Sequence, residues 1–426
     1  MLATDPPSTT YSSVGVSVVT LSLARRADHF PDRTAVVDIS ERRLHVPAET
    51  IHEDRVSYEE LSTIATRTAE RLSMLNVCPG ETVCLVTRNR IVSLALFFAC
   101  RRLGITFAPI SHLLTPASVT RPFEALEPDL VVFEAAQRDL VRSIPFDRSV
   151  TLEELTGTDR ESFDVDEQRT AATPALALHG GTGRPVAGYT AETIERNCIT
   201  SVAVWGLAAN DVVPLTTPLS TAQSLVRVAL SVLSVGGTLL LDRAFTPGDV
   251  VTAMAEEDAT LLPGPETVLR DIAAESGFDA AVVPLERVIC DAPIAADVVA
   301  AYRDHDVPVA QVYGCLECPT ALSQDIGADR PGSDGVGRPV PGCRARLVND
   351  ERAVIEGDAA GRLELAGPMV ADGYVDAAGT AGQNGDEPAA SERDESTAGD
   401  RSRFVDGWFH TGERFRRDED GTYHLR

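Results

Sequence analysis

Three short buried runs, Thr82 to Thr87, Ile105 to Ile110 and Asp129 to Glu134, alternate with two helical stretches. The first, Ile91 to Leu103, stops at Gly104, and the second follows Pro116. Strands alternating with helices cannot pair as hairpins. Each return must cross the sheet, so the unit is βαβαβ and the sheet is parallel. Just upstream, Ser57-Tyr58-Glu59-Glu60 is a capping box: Ser57 is the N-cap and Glu60 follows three residues later. The helix it opens runs toward Leu75, and Pro79-Gly80 turns the chain into the first strand.

The alternation resumes downstream. Ala175 to Leu178 reads as a strand. Helices are expected at Ala191 to Trp205, Thr221 to Ser234, Pro247 to Glu257, Glu266 to Ala274 and Ala295 to His305. Strands are expected at Val212 to Thr216, Thr238 to Asp242, Ala259 to Leu262, Arg287 to Cys290 and Pro308 to Val312, forming a second doubly wound sheet. From about Gly332, glycine, proline and short apolar alternations dominate, the texture of a small antiparallel, barrel-like β unit. The fold class is therefore α/β, with two doubly wound sheets, flanking helices and a small β unit. The expected divisions are 1–170, 171–330 and 331–426. An acidic connector falls near Phe146 to Thr173, and a solvated, disordered insertion at 377–403.

Composition narrows the function. All 38 basic residues are arginine and none is lysine, against 64 acidic residues, for a net charge of −26. No lysine can form a Schiff base, contact a phosphate or act as a base here. The charge argues against nucleic acid as a partner, and a hydrophobic content of 43% supports a large core. An acidic, lysine-free surface suits a salt-rich cytoplasm, the halophilic setting in which self-repulsion is screened. The N-terminus lacks the basic lead of a signal peptide. The longest apolar region, Ser224 to Leu241, is interrupted by Arg227 and Gly236-Gly237, so no membrane span is expected and the expected location is cytoplasmic. Most of the eight cysteines sit in apolar runs as core residues. The one CxxC, Cys315 and Cys318, lacks the further ligands that zinc needs.

The loop His179-Gly180-Gly181-Thr182-Gly183-Arg184-Pro185 follows a strand and is read as preceding a helix. Its glycines would let backbone N–H groups approach phosphate oxygens, and Thr182 adds a hydroxyl donor. After it come Tyr313-Gly314-Cys315-Leu316-Glu317, Gly335-Val336-Gly337-Arg338-Pro339, Gly357 to Gly361 with Glu364, Asp372-Gly373-Tyr374 and Asp406-Gly407-Trp408-Phe409-His410-Thr411-Gly412-Glu413. In order and spacing this series resembles the adenylate-forming superfamily of acyl-CoA synthetases, peptide-synthetase adenylation domains and luciferases. The resemblance spans roughly residues 20 to 426.

The resemblance implies a large N-terminal domain that binds ATP or AMP, Mg²⁺, a small carboxylic acid and CoA. Gly180, Gly181, Thr182, Gly183 and Arg184 would form the phosphate loop. Asp291, Ala292 and Pro293 match the turn lining the adenine pocket, and Tyr313 with Gly314 would hold the base. Glu317 is the implied catalytic and metal-binding acid, and Glu413 stands where the family's aspartate takes the ribose hydroxyls. The departures are several. The family's Thr-Ser-Gly-Thr-Thr-Gly-x-Pro-Lys-Gly carries Leu178, His179 and Gly181 in place of three hydroxyl residues, and Val186 in place of the lysine. Leu316 replaces a threonine, and Pro218-Leu219-Ser220-Thr221 lacks the family's histidine. The small C-terminal domain with its catalytic lysine is expected to be absent, or supplied by a separate chain. Two readings follow: an acid-activating ligase, impaired or dependent on a partner, and a non-catalytic nucleotide- or acyl-binding protein of the same fold.

Overall fold

The computed structural model describes residues 21–40, 54–144, 146–156, 174–326, 335–375 and 403–426. Most of the acidic connector and nearly all of the 377–403 insertion lie outside them. Among the described residues the strands form three sheets.

The first sheet runs Gly373–Tyr374, Val186–Tyr189, Leu176–His179, Thr106–Ser111, Thr82–Thr87, Leu130–Phe133 and Ser149–Thr151. Its last five members are parallel, and the first two add antiparallel pairings. The central parallel strands Leu176–His179, Thr106–Ser111, Thr82–Thr87 and Leu130–Phe133 are buried on both faces, as a sheet covered on both sides requires. The helix Ile91–Leu103 buries every residue from Ile91 to Cys100 and ends at Gly104 in the left-handed region. In the capping box, Glu60 N–H donates to Ser57 Oγ at 3.2 Å and Ser57 N–H to Glu60 Oε2 at 2.7 Å. It opens the helix Tyr58–Met74, whose first residue is fully buried and donates its hydroxyl to Gly237 O at 2.6 Å.

The second sheet begins with three parallel strands, Leu261–Pro265, Arg287–Asp291 and Val309–Tyr313. Antiparallel pairing then carries it through Leu322–Ser323, Gly335–Pro339, Tyr423–Leu425, Trp408–Arg417, Ala359–Ala366, Arg344–Val348 and Val354–Ile355. The terminal β unit thus continues this sheet, joined to it by the Leu322–Ser323 strand.

The third sheet differs from the sequence expectation. Val212–Leu215 and Thr238–Leu241 do not ladder with the second sheet; they pair with each other, Thr238–Leu241 pairs on its other side with Thr34–Asp38, and Arg55–Ser57 closes that edge. The reason is long-range. Local pattern marks these residues as buried strands, but the pairing partner comes from about two hundred residues earlier. The two sheets still meet edge to edge. Thr260 N–H donates to Val212 O at 3.0 Å, and buried Asp211 accepts from Thr260 Oγ1 at 2.7 Å and from Arg287 at 2.7 Å.

The helix expected at Thr221 to Ser234 also departs from the α geometry. Gln223–Ala229 is π-helical and passes into an α-helix over Leu230–Val235, with Leu230 N–H donating to Leu225 O. Five residues per hydrogen-bonded ring rather than four widen this turn, a feature concentrated at functional sites.

Tyr58→Phe is expected to strand the buried Gly237 carbonyl and to lower unfolding free energy by about 1–3 kcal/mol. Denaturant melts of both proteins in molar salt check this through an earlier midpoint at unchanged slope.

Candidate functional site

Because Arg287–Asp291 and Val309–Tyr313 are adjacent and parallel, their C-terminal ends lie side by side, with Asp291 opposite Val312. This register sets Asp291, Ala292 and Pro293 next to Tyr313 and Gly314, and Ala292 N–H donates to Val312 O at 2.9 Å. The carboxyl ends of parallel strands are where open α/β sheets take ligands. The long strand Trp408–Arg417 returns past the same point. Phe415 meets the Tyr313 ring edge-on at 4.9 Å between centroids, and exposed Glu413 stands near the Tyr313 hydroxyl. Tyr313 is only 6% exposed, and its hydroxyl has no well-formed hydrogen bond. Burial first, then the charges of Cys315 and Glu413, push its pKa well above the usual phenol range. Tyr313 packs within a core cluster at the end of its strand.

Gly314 is required by close approach. A Cβ there would sit 1.9 Å from Pro319 O, backbone against which nothing can yield. The turn from Gly314 to Pro319 is thereby compressed, and it carries Glu317 into the interior.

Glu317 is 3% exposed. Its Oε1 accepts from the Tyr374 hydroxyl at 2.5 Å and lies 3.9 Å from Arg403. The neighbouring Leu316 carbonyl accepts from the Tyr189 hydroxyl, and Glu317 O accepts from Ala371 N–H at 2.7 Å. Tyr189 and Tyr374 belong to paired strands of the first sheet, so the glycine-rich segment and the Glu317 turn are joined through two phenols. Among the described residues no group of three His, Cys, Asp or Glu side chains could hold a metal ion. One carboxylate can suffice for Mg²⁺ when phosphates complete its shell. Glu317 fits that chemistry once Tyr374 releases it.

The glycine-rich loop is not a strand-to-helix turn. It is the tip of a hairpin between Leu176–His179 and Val186–Tyr189, and the helix Ala191–Trp205 begins only after Thr190. The first turn of a separate helix, Thr120–Leu126, packs against Gly183 instead. The alternation read at that point passed over the second hairpin strand, which is only four residues long. Gly183 has φ +89°, and a Cβ would lie 2.5 Å from Ser118 O. Arg121 donates to Thr182 O at 3.1 Å, and Arg184 pairs with Glu124 at 3.2 Å on the surface. Among the described residues, the hydrogen bonds of 180–184 run to these neighbours and within the loop, not to 291–293, 313–314 or 413. His179 is buried and bridges strand ends, accepting from Ser111 N–H at 3.0 Å and donating to Gly180 O at 2.7 Å. Burial lowers its pKa, so it is neutral at pH 7.

Several residues were not legible as site components. Arg227, on the π-helical turn, is 3% exposed, pairs with Asp291 and donates to Pro319 O at 3.1 Å. Its only sequence signal is a charge inside an apolar run. Asp372 accepts at 2.8 Å from the N–H of Thr190, the residue whose side chain caps the helix Ala191–Trp205. At the ends of the first sheet's central strands, Glu134 accepts from Arg88 at 2.8 Å and Arg90 at 2.6 Å. Beside them lies a small cleft lined in part by Thr87, Arg88, Ser93, Pro218 and Ser220. Burial alone would raise the Glu134 pKa. Hydrogen bonds and charge from Arg88 and Arg90 outweigh it and hold the carboxyl at about 2.

The AMP-binding enzyme family model matches residues 23–375, and the chain belongs to that family. It has the mixed α/β architecture of the large N-terminal domain of adenylate-forming enzymes. It is 29% identical over 378 residues to a feruloyl-CoA synthase of an Amycolatopsis species, covering 87% of this chain and 73% of that protein. It is 25% identical over 386 residues to an indoleacetate–CoA ligase of Aromatoleum aromaticum, covering 86% and 72%. In structure it is similar to o-succinylbenzoate CoA synthetase of Bacillus subtilis, with TM-score 0.79, 17% identity and coverage of 95% and 77%. The N-terminal domain of FACL13 from Mycobacterium tuberculosis matches with TM-score 0.79, 17% identity and coverage of 95% and 98%. The Bacillus enzyme has also been solved with AMP, and with ATP and a magnesium ion.

Two outcomes test this geometry. Gly314→Ala is expected to cost several kcal/mol, at the upper end of single-residue effects (about 4 kcal/mol), read as a lowered thermal midpoint. Glu134 has a depressed folded pKa, so its contribution is present above the ordinary value of 4.5 and is lost as pH falls toward about 2. That loss is on the order of 3 kcal/mol. Acid titration at constant salt should show Glu134→Gln less stable at pH 7 and less sensitive to pH across that window.

Proposed function

We propose that the chain is the nucleotide- and acid-binding portion of an AMP-forming acyl-CoA synthetase. A carboxylate oxygen attacks the α-phosphorus of ATP and pyrophosphate leaves; CoA then takes the acyl group from the adenylate as a thioester, releasing AMP. The observation that carries this reading is the convergence of Asp291, Ala292, Pro293, Tyr313, Gly314 and Glu413 at the ends of two adjacent parallel strands. The names of the relatives, acid–CoA ligases acting on aromatic acids, support the same class.

In this reading Tyr313 and the 291–293 segment flank the base, and Glu413 accepts from the ribose hydroxyls through its two oxygens. Glu317 takes Mg²⁺, which supplies neutralisation of phosphate charge when bound. The 426 residues contain no lysine, so the lysine that the family's chemistry uses is supplied from outside these residues. Arg184, paired with Glu124, replaces the loop lysine only after leaving that partner. A chain of net charge −26 works in a salt-rich cytoplasm, where its self-repulsion is screened. A second reading, a non-catalytic binding protein, is favoured by one observation: the Glu317 carboxylate is buried and bonded to Tyr374.

Exchange of labelled pyrophosphate into ATP separates the two. The assay is run in molar salt with aromatic and aliphatic acids, with and without a relative's lysine-bearing C-terminal domain. The ligase reading expects acid-dependent exchange that falls at least ~100-fold in Glu317→Ala. Calorimetric binding of ATP or AMP without any exchange would establish the binding protein instead, and absence of both would defeat the two readings together.

A further inference from the structure

With a ribose at Glu413 and a metal ion at Glu317, the phosphates of a bound nucleotide lie between these two acids. One side chain spans that interval. Arg403 Nε–H donates to His410 O at 2.9 Å and its Nη2 donates to Thr411 O, so the guanidinium is fastened to the strand that carries Glu413. Nη2 also stands over exposed Gly412, 3.9 Å from where a Cβ would be, and no other atom beyond the chain neighbours comes within 4 Å of that point. At the other end of the fork, Nη1 faces Glu317 Oε1 at 3.9 Å, longer than a hydrogen bond. The Phe409 ring backs the guanidinium at 5.0 Å, and Phe404 links Phe409 to Tyr374, the residue bonded to Glu317. The Arg403 side chain is 30% exposed against 4% for that of Glu317, so the cation is the more accessible of the two.

We propose that Arg403 binds the α-phosphate of ATP and AMP through Nη1, supplying the positive charge that the glycine-rich loop does not bring to the site. This rests on the nucleotide-binding reading above. A polyanion held between two carboxylates is repelled unless a cation stands beside it. Arg184 is paired with Glu124, and Arg227 is taken up by Asp291 and Pro319 O. Among the described residues, Arg403 is the cation brought within 4 Å of Glu317. Two backbone carbonyls fix its orientation, and the Nη1 end turns to a phosphate without losing a short bond. Charge-assisted bonds from a planar guanidinium to phosphate oxygens are among the stronger polar contacts. The anchors lie two and three residues before Glu413, so the phosphate it meets is the one next to the ribose.

The test is calorimetric titration of the full chain with AMP and with adenosine, in molar salt and EDTA so that no metal ion contributes. The wild-type chain should bind AMP ~10-fold or more tightly than adenosine. Arg403→Gln, which removes the charge and keeps an amide donor, should bring AMP down to the affinity of adenosine and leave adenosine nearly unchanged. Arg403→Lys, which keeps the charge and loses the fork, should bind AMP more tightly than Arg403→Gln. Adenosine binding and the thermal midpoint establish that each variant is folded. Wild-type affinity for AMP in Arg403→Gln overturns the assignment. So do parallel losses of AMP and adenosine, or equal losses of AMP in the Gln and Lys variants, because these mark a structural brace rather than a phosphate contact. Binding of AMP and ATP by the wild-type chain keeps the two claims apart: where it persists, those results remove the role of Arg403 and leave the nucleotide reading standing. A wild-type chain that binds neither nucleotide removes both.

Discussion

Arg287 and Asp211 face each other at the seam between two sheets, 2.7 Å apart and almost wholly buried, with the Thr260 hydroxyl on the other carboxylate oxygen. The same device recurs wherever separate segments must be held in register. Arg88 and Arg90 grip Glu134 across two neighbouring strands of the first sheet. Arg346 holds Glu364 in the terminal β strands, and Arg227 ties Asp291 to the turn after Glu317. A chain without lysine has only the guanidinium fork for this work. The fork is well suited to it, since it is planar, carries five donors and is weakly hydrated. Such pairs add less net stability than their Coulomb energy suggests, because desolvation offsets it. Breaking one leaves an uncompensated buried charge, so they act as strict constraints on which strand lies beside which.

Positioning of the candidate site follows from these constraints. Parallel pairing aligns Asp291 with Val312, and the Gly314 to Pro319 close approach turns the chain inward. Arg227 locks that turn from below. Two phenols from the first sheet, Tyr189 and Tyr374, reach the same turn, so the Glu317 region is clamped between the first and second sheets. The glycine-rich hairpin is tied by its outer strand to this clamp and by its tip to the 118–124 segment. Its free cation is spent on a surface carboxylate. The first sheet therefore reaches the site through backbone and phenol contacts, with no positive charge contributed by the loop.

Local features were readable wherever a short-range physical rule applied. The capping box at Ser57 and Glu60, the helix Ile91–Leu103 with its Gly104 stop and the strand Thr82–Thr87 all appear as the pattern implies. The ordered motifs identified the family without any coordinates. Legibility ended where the answer depended on distant residues. Burial of Val212–Leu215 and Thr238–Leu241 was evident, but the pairing of Thr238–Leu241 with Thr34–Asp38 was not. A four-residue hairpin strand at Val186–Tyr189 is too short to leave a period, and the loop before it was read as a helix approach. Arg227 was visible only as an interruption, because nothing near it in sequence shows that its partners lie at residues 291 and 319.

The sequence by itself determined the alternation of strands and helices, the absence of every lysine, and the order of motifs that mark an AMP-binding enzyme. These are properties of composition and of windows a few residues wide, where periodicity, capping and turn chemistry act. The tertiary structure alone decided which sheet each strand joined, that Tyr313 is buried, that Glu317 is held by Tyr374, and that Arg227 braces Asp291. Each of those depends on a contact between residues tens to hundreds of positions apart, and only chain closure and packing bring such residues together.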